Sequence, residues 1–206
     1  ELHSMKNNSN ELEESFRLLI VGNQERFVHL EQFVNELNKV GIKTKLVYDL
    51  DYIDKFFDLN FFKKNQKKNN LNKMLDEFKP TIVLLDRISK IGEKIIEKNI
   101  PIWILLRGNY WEELEWAKKT IYKNKRQQMS VKHNEKLYDF CFKKSELILP
   151  ISKYLEKEVI KRYPKKNILV FPADGRNPSE WKKEFSNKLK HPCVGLVQGL
   201  NIWGKT

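Results

Sequence analysis

Cysteine is scarce in this chain: only Cys141 and Cys193 occur among 206 residues. They form no C-x-x-C pair, so neither a disulfide framework nor a cysteine-built zinc site is indicated, and both read as ordinary thiols of a reducing compartment. Histidine is scarce too, with four residues scattered along the chain. No paired carboxylates, histidine cluster or Ser/His/Asp set stands out, so no metal site and no complete catalytic constellation are expected. Long apolar runs are also missing. A bilayer-spanning helix needs about 20 consecutive apolar residues, and Ile100–Leu106 falls far short. The N-terminal stretch has no apolar h-region, so a secretory leader is not expected and the chain reads as cytoplasmic. Glu1–Ser4 reads as an expression scar ahead of Met5.

Negative charge is the remaining deficit. Asp and Glu total 27 against 39 Lys and Arg, a net charge of +12. Much of the excess lies in Lys63–Lys79 and in Lys118–Lys132, and the second stretch contains no acidic residue. Such a surface attracts phosphate, whether on a nucleotide sugar, a nucleic acid or an anionic lipid headgroup. A simply solvated lysine face is the plain alternative.

What is present is a 40% apolar content, enough for a sizeable core, arranged in alternating short apolar runs and amphipathic segments. Phe16–Val21 reads as a buried strand ending at Gly22-Asn23-Gln24. Arg26–Lys39 has apolar residues at offsets of three and four, with Gly41 as its stop signal. Thr44–Tyr48, Thr81–Leu85 and Ile100–Leu106 are further strands. Helices are expected over Leu71–Phe78, Ile88–Asn99, Trp111–Tyr122 and Lys132–Lys144. Leu147–Leu149, a helix capped by Ser152, and Ile168–Phe171 then form a βαβ unit closed by Pro172. A final strand is expected at Cys193–Val197. About five β-α repeats predict an α/β fold: a doubly wound, mostly parallel sheet with helices on both faces. In such sheets ligands bind beyond the carboxyl ends of the strands. Asp86 therefore draws attention at the end of the third strand, although Asp there is also a common cap. His29, beside the apolar stripe of the first helix, reads as a partly buried histidine rather than a catalyst.

The stretch Ser145–Asn177, with its LILPIS, basic helix, ILVFP and ADG, resembles the end of the N-terminal domain in the retaining GT-B glycosyltransferases of family 4, also called glycosyl transferase group 1. The resemblance implies a Rossmann-like acceptor-side half of a GT-B fold over residues 5–176, a linker over 177–192, and the first strand of a second domain over 193–206. It implies an enzyme that moves a sugar from a nucleotide-sugar donor to a glycan or lipid-linked acceptor, with no cofactor or obligatory metal. The intact enzyme would be peripheral at the cytoplasmic membrane face, its basic stretches on anionic lipid. This half alone would be inactive without the donor-binding domain.

By the same resemblance Gly22, Asn23 and Gln24 stand at a loop near donor phosphates and acceptor. Arg107-Gly108 stands where the family commonly has His-Gly. A guanidinium cannot act as a base but can hold a phosphate or carboxylate, so Arg107 is assigned to binding or charge stabilisation. Asn109, Tyr110 and Trp111 are placed either to stack on a sugar or to cover the sheet edge. Asp174 and Gly175 fall at the hinge, and Asn177 stands where the family usually has Asp. Gly199 and Lys205 fall near the donor diphosphate.

Gly199–Thr206 (GLNIWGKT) also matches the phosphate-binding P-loop pattern, in which Lys205 would reach phosphates and Thr206 would hold Mg²⁺. Such a loop opens onto a helix and needs a later acidic strand end, neither of which follows here, and Trp203 is bulky for a tightly wrapped loop. A P-loop NTPase fragment is therefore the second reading. A basic α/β nucleic-acid-binding module is the third, without any RNP-like, zinc-finger or helix-turn-helix pattern to support specific recognition.

Overall fold

The computed structural model describes residues 16–23, 27–53 and 61–172, with backbone alone at 27–29 and 61–64. Five strands form one sheet: β1 (Arg17–Gly22), β2 (Lys43–Tyr48), β3 (Ile82–Leu85), β4 (Ile102–Leu106) and β5 (Leu147–Pro150). Their order is β2-β1-β3-β4-β5, and every pairing is parallel. The doubly wound α/β architecture expected from the alternating pattern is the one observed.

β1, β3 and β4 read as near-continuous apolar runs because parallel strands are covered on both faces. Alternate residues divide between two cores. Leu18 and Ile20 point to one face with Leu84, Leu105 and Leu149, where Leu30 and Val34 of α1 (Phe27–Lys39) cover them. Leu19, Val21, Val83, Leu85, Ile104 and Ile148 point to the other. That face is packed by α2 (Phe61–Phe78), α3 (Lys90–Ile96), α5 (Lys125–Lys144) and α6 (Lys153–Arg162). Between β4 and α5 runs α4 (Tyr110–Thr120).

Several ends carry the expected chemistry. Gly41 ends α1 at φ 90°, where Gly alone is unstrained, and the Ile42 N–H donates back to the Leu37 carbonyl at 3.0 Å. Ser152 Oγ accepts from the Leu155 N–H at 3.3 Å and caps α6. The Ile168–Phe171 stretch, expected as a strand, runs beside β5 but forms only an isolated bridge at Ile168, the Leu169 N–H donating to Ile148 O at 3.1 Å and the Phe171 N–H to Pro150 O at 2.9 Å.

Two helices are longer than their sequence suggests. α5 begins at Lys125 rather than Lys132, because Asn124 and Gln127 form a reciprocal capping box that overrides the weak apolar pattern of the first two turns. α2 takes in the lysine- and asparagine-rich stretch ahead of Leu71, anchored downstream by buried Leu71, Met74 and Leu75. Lys67 on this helix ties it to the turn after β2, donating to Leu50 O at 2.8 Å and Ile53 O at 3.0 Å. α3 is shorter than Ile88–Asn99, since Ser89 takes the N-cap position and Asn99 turns to φ 58°. Gly92 lets α3 sit against the sheet: a Cβ there would stand 2.8 Å from Leu85 Cδ1 and 3.3 Å from Cys141 Sγ.

Among the described residues no helix is long and apolar enough to cross a membrane. The strand expected at 193–197 and the hinge at Asp174 and Gly175 lie outside the described residues.

Candidate functional site

The chain runs from β1 outward in one direction to β2 and in the other to β3, so the strand order reverses between β1 and β3. In a parallel sheet the crevice beyond the carboxyl ends at that reversal is the usual ligand site. Strand register determines who stands there. Gly22 pairs with Tyr48, which sets Asn23 beside Asp49 just past β1 and β2. Val21 pairs with Leu85, and the Asp86 N–H donates to Val21 O at 3.0 Å, which sets Asp86 at the end of β3 next to Gly22. Arg107 follows β4 one strand further along.

Arg107 and Asp86 meet. Arg107 Nε donates to Asp86 Oδ1 at 2.6 Å, with the carboxylate side chain 1% exposed and the arginine side chain 14% exposed. Arg107, expected to serve binding or charge stabilisation, thus commits its Nε to a buried ion pair with Asp86. A charge-assisted bond of this kind is strong, and leaving either partner unpaired is costly.

The crevice also holds polar atoms with no partner. Asp86 Oδ2, Asn23 Oδ1, Asp49 Oδ1 and Ser89 Oγ are buried without a well-formed hydrogen bond, the Ser89 hydroxyl facing the Asp49 carboxyl. Native interiors leave few such groups, and each one lowers stability unless water or a ligand completes it. Three of the four are acceptors only. The unmet demand is therefore for hydrogen-bond donors, such as hydroxyl or amino groups, and not for phosphate oxygens.

Burial raises the Asp49 carboxyl above its ordinary 3.8, while the facing Ser89 hydroxyl, the Leu50 backbone and the Arg87 charge pull it part of the way back. A carboxyl raised in this way binds its proton more tightly in the folded chain. Its contribution favours folding at low pH and is lost as the pH climbs from 3.8 through the folded value. Asp49→Asn is accordingly expected to raise Tm near neutral pH and to leave it unchanged in strong acid. Thermal melts of both proteins from acid to neutral pH check this, and a gap of equal size at both ends would contradict it.

The exposed Arg87 also acts on Tyr110 and Tyr138, whose rings lie 5.3 Å apart. Burial pushes both phenols above their ordinary values.

The other expected residues are placed as follows. Gly22 is buried at the end of β1, and its left-handed freedom is not used: a Cβ there would stand 2.3 Å from Leu30 Cδ1, so the residue admits α1 close to the strand. Gly108 is similarly crowded, by Glu113 Oε1 at 2.6 Å from a Cβ. Asn109 caps α4, accepting from the Glu112 N–H at 3.2 Å, and its amide donates to Tyr154 Oη at 2.8 Å. Tyr110 is buried in the core. Trp111 packs against Phe142 and Tyr163, with Arg162 over its ring at 4.4 Å, so it covers the sheet and does not face the crevice as a free platform. Gln24, Asp174, Gly175, Asn177, Gly199, Lys205 and the rest of Gly199–Thr206 lie outside the described residues, and the His29 side chain is not described.

Reasoning from sequence missed Asp49, Ser89 and Arg87. The available signal was positional: Asp49, like Asp86, is the polar residue immediately after a predicted strand.

A depression of about 450 Å³ lies among α4, α5 and α6 and is lined by Trp111, Tyr138, Asp139, Lys143, Arg162 and Tyr163 among others. Its polar groups answer one another: Tyr163 Oη donates to Asp139 at 3.1 Å, Lys143 pairs with Asp139, and Arg162 pairs with Glu158. It carries no unmet demand comparable to that of the crevice. Among the described residues no group of three His, Cys, Asp or Glu side chains is placed to hold a metal ion.

Compared with protein-family models, with curated proteins and with solved structures, the chain matches none.

Proposed function

We propose that the chain is the acceptor-side domain of a glycosyltransferase that moves a sugar from a nucleotide-sugar donor to a glycan or lipid-linked acceptor. The observation that carries this reading is the set of buried, unpartnered acceptor atoms at the strand-order reversal. A ligand rich in hydroxyl groups would complete all of them at once. The resemblance of Ser145–Asn177 to the end of a GT-B N-terminal domain supports it independently.

In this reading Asp86 Oδ2 and Asp49 Oδ1 accept hydrogen bonds from acceptor hydroxyls and orient the one that attacks. Arg107 holds Asp86 in place through its Nε–Oδ1 contact, and so acts as a positioning residue. The nucleotide is held by a second domain, and neutralisation of the departing diphosphate supplies much of the rate. The membrane-face location belongs to the same proposal.

The test uses the protein expressed from its full reading frame, supplied with a panel of nucleotide sugars and a mixed glycan and lipid extract. Acceptor-dependent release of nucleoside diphosphate from one donor is expected. Asp86→Asn should lower the rate by about 10–100-fold, the value of a hydrogen bond to a charged group. Absence of release with every donor would overturn the reading.

A further inference from the structure

The acid-free run expected to attract phosphate proves to be a corner. It spans the end of α4, the link 121–124 and the first two turns of α5. Three large apolar side chains stand out from it into solvent: Ile121 at 47% exposure, Tyr122 at 37% and Met129 at 66%. Isolated exposed apolar residues are ordinary, but three on one corner with no core to join are not. Around them Lys119, Lys123, Lys125, Arg126 and Lys132 are all exposed. Lys118 alone is drawn inward, held between Glu115 and Glu135.

Helical spacing sharpens the picture. Lys125, Met129, Lys132 and Lys136 follow one another at intervals of four, three and four, so they share one face of α5, and all four are exposed. Val131, Leu137 and Cys141 are buried on the other side. The outward stripe is cationic with an apolar centre.

We propose that this corner docks the protein onto an anionic lipid bilayer, with Ile121, Tyr122 and Met129 entering the headgroup–acyl boundary and the surrounding cations on lipid phosphates. Charge complementarity selects the partner. A second copy of the same corner would bring lysine against lysine. Nucleic acid would satisfy the lysines but not the aliphatic side chains: single strands are held by stacking on aromatic rings, and Ile121 and Met129 offer none. A bilayer satisfies both classes, as interfacial segments of mixed basic and apolar character do. Binding is peripheral, since no described helix is suited to crossing. The inference deepens the membrane-face location in the proposed function by naming the surface that would make the contact, and vesicle binding is read separately from glycosyl transfer.

Co-flotation of the 206-residue chain with phosphatidylcholine vesicles, with and without phosphatidylglycerol, tests it. Binding is expected only when phosphatidylglycerol is present. Lys123→Gln with Lys125→Gln should weaken it about 25-fold, roughly fivefold for each lysine near the surface. Ile121→Ser with Met129→Ser keeps every charge and should still weaken it about tenfold or more, with the remainder erased by salt. All four substituted side chains are exposed, so unchanged circular dichroism and Tm are expected to accompany both variants. Equal binding of the serine variant and the parent would overturn the proposal. So would indifference to phosphatidylglycerol, or lysine-dependent retention on DNA or RNA without retention on vesicles. Self-association lost in the serine variant without vesicle binding would assign the corner to a second copy and overturn it as well.

Discussion

Arg107→Met is expected to lower the unfolding free energy by about 3–5 kcal/mol, because it leaves a buried carboxylate without its charged partner. Asp86 is 1% exposed and its Oδ2 is already without a hydrogen-bond partner, so the loss of Arg107 Nε takes the charged partner from Oδ1 as well. The size of the effect belongs to the orphaned charge, not to the worth of the ion pair. Arg107→Met combined with Asp86→Leu should therefore recover most of the loss, since well-packed apolar replacements of buried pairs are often neutral or stabilising. Urea unfolding of the two single variants and the double variant completes the cycle. A double variant no more stable than Arg107→Met would show that Asp86 is not the group being compensated.

The second large effect is expected at Phe142, which is fully buried at 0% exposure. Its ring lies 5.1 Å from that of Trp111 and stacks at 5.4 Å on that of Tyr163, so it joins α4, α5 and the end of α6 in one aromatic cluster. Phe142→Ala should cost about 3–5 kcal/mol through lost burial and the cavity left behind. Phe142→Leu keeps most of the volume and should cost less. The same urea experiment reads both. A loss below about 1 kcal/mol for Phe142→Ala would mean that the cluster collapses around the gap, contrary to the close packing that sets these costs.

The strands were legible because the sheet is parallel. Burial on both faces writes β1, β3 and β4 as short apolar runs, and β2, at the sheet edge, is still marked by the run Leu46-Val47-Tyr48. Helix existence was legible wherever a wide apolar stripe recurs, as in α1. The starts of α2 and α5 were not. Their opening turns are dominated by Lys, Asn and Gln, which carry no periodic apolar signal, and their extent depends on the Asn124–Gln127 box and on contacts formed far along the chain.

The site shows the same limit more sharply. Asp86 and Arg107 could each be noticed as a strand-end residue, but their pairing spans 21 residues. It exists only because β3 and β4 are lateral neighbours in the sheet. Lateral strand order is a property of the assembled fold, and a linear pattern does not contain it. Asp49 and Ser89 come from opposite sides of the reversal between β1 and β3, so their convergence is likewise invisible before the strands are ordered. Asn109 shows the reverse case: a polar residue in the right loop whose side chain serves helix α4 and Tyr154.

The central claim is that the crevice beyond β1 and β3 receives a hydroxyl-bearing ligand. Backbone-amide NMR of the 206-residue chain, titrated with simple hexosides, N-acetylhexosaminides and inositol, tests it most directly. The account predicts that at least one of these shifts the amides of Asn23, Asp49, Asp86, Ser89 and Arg107 together, and that Asp86→Asn abolishes the response. Shifts centred instead on the Trp111–Arg162 depression, or none with any of the sugars, would contradict it.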